Sequence, residues 1–391
     1  MKIAIFSDNF YPELSGIADS IITLATQLAS MGHHIMFYVP QYSAANYQKT
    51  GLKAHELNLG DNIGIHRFFS FSVPAPTGQA RMVIPSPFIP SHIKKFKPDV
   101  VHSQLFFGVG LNALIAAKEL KVPMVGTNHT AISEFMPPNL EWLRSGSIKY
   151  AVWYYNRCRF VTAPSQSVFT EMERHGFHRP HKVVSNPIDT VTFSPASIEE
   201  RAALKKKFGL SSHAVFYAGR LAPEKDIDVV VKALALVRKE VPDVVLALAG
   251  HGSSEDSLKK LVADLKLEDH VRFLGTLSKP DLAQWYRASD LFTIMSTSET
   301  QSLTLMQAMA SALPVIGARA RALPEYINDN NGFLVEPGDH KMLAEKMTLV
   351  LKDPDLAAKL SRGGHEFVQR FSPSAIAREW LSIYQNVARP K

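Results

Sequence analysis

The stretch AVFYAGRLAPEKDIDVVVKALALV, residues 214–237, decides the fold. It opens with five apolar residues, Ala214 to Ala218, the pattern of a buried strand. Gly219-Arg220 ends the run, and a helix follows through about Lys239. An apolar strand, a glycine turn and a helix make one unit of a parallel sheet, whose strands are covered on both faces. Downstream, strands read at Val244–Ala249, Val271–Leu274, Leu291–Met295 and Pro314–Gly317, with helical segments between them. Upstream the same rhythm appears. Ile3–Phe6 is a strand, Asn9–Gly16 a loop, and Ile17, Ile21, Leu24 and Leu28 recur at helical spacing. Further strands read at His34–Pro40, Asp99–His102, Pro123–Gly126 and Phe160–Ala163. Two such series predict two doubly wound α/β domains, with ligands at the carboxyl ends of the strands. Proline and polar residues cluster between Asn186 and Pro195, which places the join there. The predicted domains are 1–190 and 191–372. The segment from Pro373 reads as an amphipathic helix with Ile376, Trp380, Tyr384 and Val387 on one side.

Composition agrees and excludes several classes. At 391 residues, 46% apolar and 20% charged, the chain has the length for two domains and the core of a globular protein. Its single cysteine, Cys158, excludes a disulfide scaffold and any multi-cysteine metal site, and fits a reducing, cytoplasmic setting. The 43 Lys and Arg exceed the 36 Asp and Glu by seven, which points to anionic partners. The excess is local: residues 81–159 hold 10 cations against 4 acids. The longest apolar stretch, around Leu105–Ala117, is short of the roughly 18 residues that span a membrane and contains Asn112. Any membrane contact is therefore expected at the surface, on the cytoplasmic face.

Three segments could carry chemistry. In the loop Pro12-Glu-Leu-Ser-Gly16, the glycine would let backbone N–H groups approach an anion at a helix start; an ordinary strand–helix turn would look the same. No G-x-G-x-x-G and no P-loop motif is present. At the end of the strand 214–218, Gly219, Arg220 and Lys225 could neutralise a diphosphate, with a solvated turn paired through Glu224 as the alternative. After the strand at 291–295, a polar loop runs into a helix near Leu303. The N–H groups there form a phosphate cradle or a plain cap, and Glu299 could accept hydrogen bonds from sugar hydroxyls.

Together these residues resemble the retaining glycosyltransferases of family 4, which have the GT-B fold of two Rossmann-like domains facing a central cleft. The resemblance covers essentially the whole chain. It is carried by PELSG at 12–16, GTNHT at 126–130, AGRLAPEKDID at 218–228, LAGHG at 248–252, SETQSLTLMQAMASALPVI at 298–316, ALPEYI at 322–327 and NGFLVEPGD at 331–339. Within the family the chain looks most like lipid-directed enzymes similar to diacylglycerol glucosyltransferases. The resemblance implies that the C-terminal helix, 373–391, packs back on the N-terminal domain. It implies that Arg220 and Lys225 bind the donor pyrophosphate and that Glu299 holds the donor sugar. The backbone of Thr300, Gln301, Ser302 and Leu303 would cradle sugar and phosphate. Ser15 and Gly16 would approach the phosphates from the other domain, and His129 would face the donor sugar. Gly219, Gly250 and Leu274 fall at matching nucleotide-binding positions. The expected co-substrate is a nucleotide diphosphate sugar, a UDP-hexose before GDP-mannose, with no metal and no other cofactor. The sequence departs from the family at Gln307, where a second glutamate commonly contacts the ribose, at Ser302, where glycine is usual, and at Ser15, where a second glycine is common. Glutamine still accepts through its carbonyl oxygen but brings no charge.

The acceptor reading returns to the basic region. Residues 131–159 interleave Phe135, Trp142, Tyr150, Trp153, Tyr154 and Tyr155 with Arg144, Lys149, Arg157 and Arg159. That pattern suits an amphipathic helix on an anionic lipid surface, or a helix packed in the domain with its cations in water. The expectation is a peripheral membrane enzyme that makes an α-linked glycolipid. The alternatives are the same fold acting on a soluble sugar or polysaccharide, and a nucleotide-sugar-binding protein without turnover. Nucleic acid is excluded as a partner, since the cations form no recognised nucleic-acid module. The sequence does not define the oligomeric state.

Overall fold

The computed structural model describes residues 1–13, 15–49, 57–73, 81–88, 91–130, 141–210 and 213–389. The chain divides into two compact units, residues 1–187 with 373–391, and residues 188–372.

The first unit runs β1 (Lys2–Phe6), α1 (Gly16–Ser30), β2 (His34–Pro40), α2 (Ala44–Lys49), β3 (Ile63–Phe68), β4 (Phe71–Ser72), β5 (Arg81–Met82), α3 (Ser91–Phe96), β6 (Val100–Ser103), α4 (Gly108–Leu120), β7 (Met124–Thr127), α5 (Glu141–Tyr155), β8 (Phe160–Ala163), α6 (Gln166–Glu173) and β9 (His181–Val183). Seven strands form a parallel sheet in the order β3-β2-β1-β6-β7-β8-β9, and β4 pairs with β5 as a separate antiparallel ribbon. The central strands β1 and β6 are fully buried apart from the exposed Lys2; β1 therefore reads as an apolar run from Ile3, while β6 also buries the polar His102 and Ser103. Helix α1 starts where the Ser15 hydroxyl accepts the Ala18 N–H, and its Ile21, Leu24, Ala25 and Leu28 are buried.

The second unit runs α7 (Ile198–Lys207), β10 (Ala214–Ala218), α8 (Ile227–Val237), β11 (Val245–Ala249), α9 (Glu255–Asp264), β12 (Val271–Gly275), α10 (Lys279–Ala288), β13 (Leu291–Ile294), α11 (Leu303–Ala310), β14 (Val315–Ala318), α12 (Leu323–Tyr326), β15 (Gly332–Val335), α13 (His340–Lys352) and α14 (Pro354–Gln369). Its six strands are parallel, in the order β12-β11-β10-β13-β14-β15. The unit begins at Ile188, whose N–H donates to the Phe371 carbonyl at 2.8 Å. Asp189 follows, paired with Lys279 at 2.8 Å. At the other end of the unit the chain crosses back as α15 (Pro373–Ala388), which packs in the first unit. Ile376, Trp380, Tyr384 and Val387 of α15 are buried. The Tyr384 hydroxyl lies 2.7 Å from His102 Nδ1 on β6, and Lys182 pairs with Glu379 at 2.7 Å.

Three adjacent strands of the second unit end on glycines with positive φ: Gly219 (+154°) after β10, Gly250 (+133°) after β11, and Gly275 (+67°) closing β12. The Gly219 N–H donates to Ala249 O at 2.9 Å and the Gly250 N–H to Gly275 O at 2.8 Å, so the loops pack backbone on backbone. A Cβ at Gly250 would run into the Gly219 carbonyl oxygen, at a φ that L side chains rarely adopt. Gly250→Ala is therefore expected to lower the stability of this unit by about 2–4 kcal/mol, read as a reduced midpoint in urea unfolding.

Candidate active site

In the second unit the strand order reverses between β10 and β13. The loops leaving these two strands open a crevice at the carboxyl edge of the sheet, the general ligand position in open α/β folds. After β10 the chain passes Gly219-Arg220 and makes a single 3₁₀ turn, Pro223–Lys225. After β13 it runs through Ser296–Ser302 into α11. The two loops are joined. The Thr297 N–H donates to Glu224 O at 3.2 Å, and the Lys225 ammonium reaches Glu299 Oε1 at 2.7 Å with Ser296 Oγ at 3.4 Å. Both charged side chains are mostly buried, with 16% and 13% of the surface of Lys225 and Glu299 exposed.

Arg220 is placed differently. Its guanidinium pairs with Glu224 on the outer side of the turn and remains nearly half exposed. The Tyr217 hydroxyl donates to Arg220 O at 3.0 Å and fixes that turn. Ser302 caps α11, its hydroxyl accepting the Leu305 N–H at 3.2 Å, so the serine found where glycine is usual in the family holds the helix start. Thr300 and Leu303 are partly buried and Gln301 is buried. Gln307 lies one helical face along, its Oε1 3.4 Å from the Tyr286 hydroxyl, which also donates to Thr304 O at 2.9 Å. Leu274 lies on β12 beside Gly275 and packs partly against the core. The structure thus gathers Lys225, Glu299, Gly219, Gly250 and the 300–303 segment on the carboxyl side of one sheet. Ser296 and Gly275 belong to the same edge and were not singled out from sequence. Gly275 ends its strand just as Gly219 and Gly250 do, and that repetition was the available signal.

The first unit reverses strand order between β1 and β6. Gly16 is the exposed first residue of α1, and the Ser15 hydroxyl donates to Asn9 Oδ1 while capping the helix. Asp8, at the end of β1, accepts the N–H groups of Val109 (2.7 Å) and Gly110 (3.3 Å) at the start of α4. Burial raises its carboxyl to about 6, against the lowering effect of those N–H groups. His129 follows β7, and its Nε2 lies 2.7 Å from Gln104 Oε1. The Gln104 amide nitrogen in turn lies 3.2 Å from the His102 ring. Since the amide oxygen accepts, Nε2 of His129 carries the proton. Burial holds His129 down to about 4. It holds His102, which also feels His129, down to about 3. Asp8, Gln104 and His102 were not singled out from sequence, although His102 is a polar residue in an otherwise apolar strand.

The stretch expected to meet lipid resolves differently. Residues 131–140 and the side chains of Glu141, Trp142, Leu143 and Arg144 lie outside the described residues. In the rest of α5, Ile148, Val152, Tyr154 and Tyr155 are buried in the core, and Trp153 is the exposed aromatic. The Tyr154 hydroxyl donates to Ser103 Oγ and the Tyr155 hydroxyl to Thr127 O, at 2.7 and 2.9 Å. The described part of α5 is a packed helix, because its aromatics find polar partners beneath the sheet edge. Among the described residues, no helix is long and apolar enough to cross a membrane, and no three His, Cys, Asp or Glu side chains gather as a metal site.

Two doubly wound parallel sheets, each with a polar loop cluster at its switch point, define an α/β protein of the kind that binds ligands at the carboxyl edges of its sheets. Comparison with known proteins gives the family. A family model described as Glycosyltransferase Family 4 matches residues 14–192, and one described as Glycosyl transferases group 1 matches residues 200–367. The chain belongs to these glycosyltransferases and has the GT-B fold. It is 28% identical to the alpha-monoglucosyldiacylglycerol synthase of Streptococcus pneumoniae, over 91% of this chain and 80% of that protein. It is 25% identical to a GDP-mannose-dependent alpha-mannosyltransferase of Corynebacterium glutamicum, over 99% of this chain and 89% of that protein. The fold is shared with Anabaena HepE, solved in complex with UDP, at TM-score 0.79 and 22% identity, covering 99% of this chain and 100% of that one.

The first unit carries an acid sensitivity. Burial lowers His66 to about 4, helped by the adjacent His92, whose own value is also lowered by burial and whose Nε2 has no hydrogen-bond partner. With His102 and His129 these rings are neutral when folded and take up protons when unfolded. Their stabilisation is complete above about pH 6.5 and is lost as pH falls towards 4 and 3. Asp8 and Glu13, raised by burial, act in the opposite sense but are outnumbered. In the second unit, Asp189 is held down to about 2 by Lys279 and Thr192 despite burial, so its contribution weakens only below about pH 4. Between pH 7 and pH 5 the first unit is expected to lose on the order of 2–4 kcal/mol. Trp153 and Trp380 fluorescence should report that loss in urea, while Trp285 reports a second unit little changed.

Proposed function

We propose that this glycosyltransferase moves a hexosyl group from a UDP-hexose to a membrane lipid acceptor, with retention, to give an α-linked glycolipid. The observation that carries the donor half is the Lys225–Glu299 pair at the switch point between β10 and β13. The diphosphate lies where the Lys225 ammonium and the N–H groups at the start of α11 meet it, and Arg220 adds a planar cation from the neighbouring turn. Glu299 accepts hydrogen bonds from the sugar hydroxyls, and its pairing with Lys225 holds both side chains in place before the donor arrives. The glycines that end β10 and β11 let these two loops pack backbone on backbone beside the pair.

In the reaction, the bond between the anomeric carbon and the phosphate oxygen breaks. The acceptor hydroxyl forms its new bond on the same face, and its proton passes to the departing phosphate. Lys225 and Arg220 stabilise the charge that grows on the diphosphate, so the step needs no divalent metal. His129, neutral in the folded protein, contributes hydrogen bonding to the sugar rather than charge. Gln307 meets the ribose without a negative charge. The lipid half is supported by the diacylglycerol-directed relative, which this chain matches over most of both lengths.

Lys225→Ala is expected to lower kcat/KM by about 10²–10³-fold, the loss of one preorganised charge at the leaving group, and Glu299→Gln by a smaller factor that appears mainly in kcat. Chelation with EDTA should leave the rate unchanged. A panel of UDP- and GDP-sugars offered with lipid extract should yield an α-linked glycolipid from a UDP-hexose. Transfer only to soluble sugars, or donor binding without transfer, would overturn the reading.

A further inference from the structure

Large apolar side chains are unevenly exposed. Of the twelve that stand in solvent among the described residues, seven lie between Phe69 and Trp153 in the first unit. Of these seven, Phe69, Phe88 and Ile84 are the most open, at 80%, 79% and 70%. They sit on linked segments. Phe71 and Met82, also exposed, face each other across the β4–β5 ribbon. The start of α4 is pressed against Val83, since a Cβ at Gly108 would meet the Val83 carbonyl, and the Ser86 N–H donates to Asn112 of α4 at 2.9 Å. Exposed Phe107 precedes α4, its ring 4.5 Å from Phe106. The Tyr150 hydroxyl donates to Phe106 O at 2.9 Å, and Tyr150 stacks on Trp153. On the other side, α3 is seated by the close His66–His92 contact next to Phe68.

The segment that carries most of these side chains has charge of one sign, although Lys94 pairs with Glu119 of α4 at 3.8 Å. Between Asp61 and Asp99 the chain has no acidic residue and five cations, Arg67, Arg81, Lys94, Lys95 and Lys97. Arg81 is spent on the ribbon, donating to Ser72 Oγ at 2.7 Å and to Ser70 Oγ at 3.0 Å. Lys95 and Lys97 are exposed, and Arg157 lies over the Trp153 ring at 3.9 Å. Exposed apolar groups on a segment whose charges are all positive match a surface that is negative outside and apolar a few ångströms within. We infer that the β4–β5 ribbon, the 83–88 loop and the start of α4 form the face that inserts into an anionic lipid bilayer. The inference rests on the lipid-acceptor reading and moves the contact from α5 to this face.

The test is co-sedimentation with vesicles of phosphatidylcholine alone and of phosphatidylcholine mixed equally with phosphatidylglycerol. The whole chain is expected to bind the mixed vesicles and to lose about tenfold or more in affinity in Ile84→Ser/Phe88→Ser. Lys95→Glu/Lys97→Glu should lose the preference for anionic vesicles. These side chains are exposed, so unchanged melting curves verify the fold. Transfer to a short-chain diacylglycerol dissolved as monomer should be retained in both variants, while transfer to the same lipid in vesicles falls. Undiminished vesicle binding by the variants would overturn this face while leaving the lipid acceptor standing. Failure of the unaltered chain to bind either vesicle would overturn it too, and absence of any glycolipid product would separately remove the acceptor reading.

Discussion

The ion pair between Lys225 and Glu299 is the contact on which the candidate donor site depends. Two mostly buried opposite charges hold each other at 2.7 Å, one from the loop after β10 and one from the loop after β13. The loops come from the two strands where the winding of the sheet reverses, and the Thr297–Glu224 backbone bond, the Ser296 hydroxyl and this pair tie them together. Burial makes the pair conditional. Neither charge is well solvated, so each requires the other until a ligand supplies a replacement, and loss of one leaves the other uncompensated. In the proposed reaction a diphosphate for the lysine and sugar hydroxyls for the glutamate would be such a replacement. A pair of this kind keeps a binding site shaped and charged while it is empty.

The first unit solves the same problem without charge. At its switch point the Asp8 carboxyl closes the start of α4, and a neutral chain runs from His129 through Gln104 to His102 and on to Tyr384 of the returning helix. Every ring in that chain is held uncharged by burial. The C-terminal helix therefore ends in a hydrogen bond to the network that positions His129. The last sixteen-residue helix is part of the site's support, beyond its packing against α1 and β6.

What could be read from the sequence follows the location of each element. Strands at the centre of a sheet are apolar on both faces and announce themselves, as β1, β10 and β13 do. In the two parallel sheets the strands that escaped notice, β3, β9 and β15, lie at edges, where one side lacks a neighbour and the first two are broken by residues such as His66 and Arg67 or His181 and Lys182; the two-residue strands β4 and β5 are too short to show a pattern. The cations and carboxylate of the second unit were legible because each sits within a few residues of a strand end. Glu224 was visible beside Arg220, but no spacing rule told whether Arg220 would face the lysine or its own i+4 neighbour, and it takes the neighbour.

The aromatic stretch of α5 shows the limit of composition as a guide to surfaces. Interleaved aromatics and cations look alike in a core helix and in an interfacial one, because the sequence gives spacing but not which side the rest of the fold covers. Here β6 supplies a hydroxyl partner and β7 and α4 supply carbonyl partners under α5, so Tyr154 and Tyr155 turn inward. Phe69, Phe71, Met82, Ile84 and Phe88 of the short ribbon and its flanking loops have no such cover among the described residues. Their apolar side chains are few and scattered, and they never form the long amphipathic pattern that draws attention in a sequence. The basic excess first seen in the middle of the N-terminal half thus belongs to two different structures. Part of it surrounds a packed helix, and part lines a segment with no acid for the whole span from residue 62 to residue 98. A charge bias with an uncovered apolar surface beside it constrains the partner far more than the same bias around a core helix.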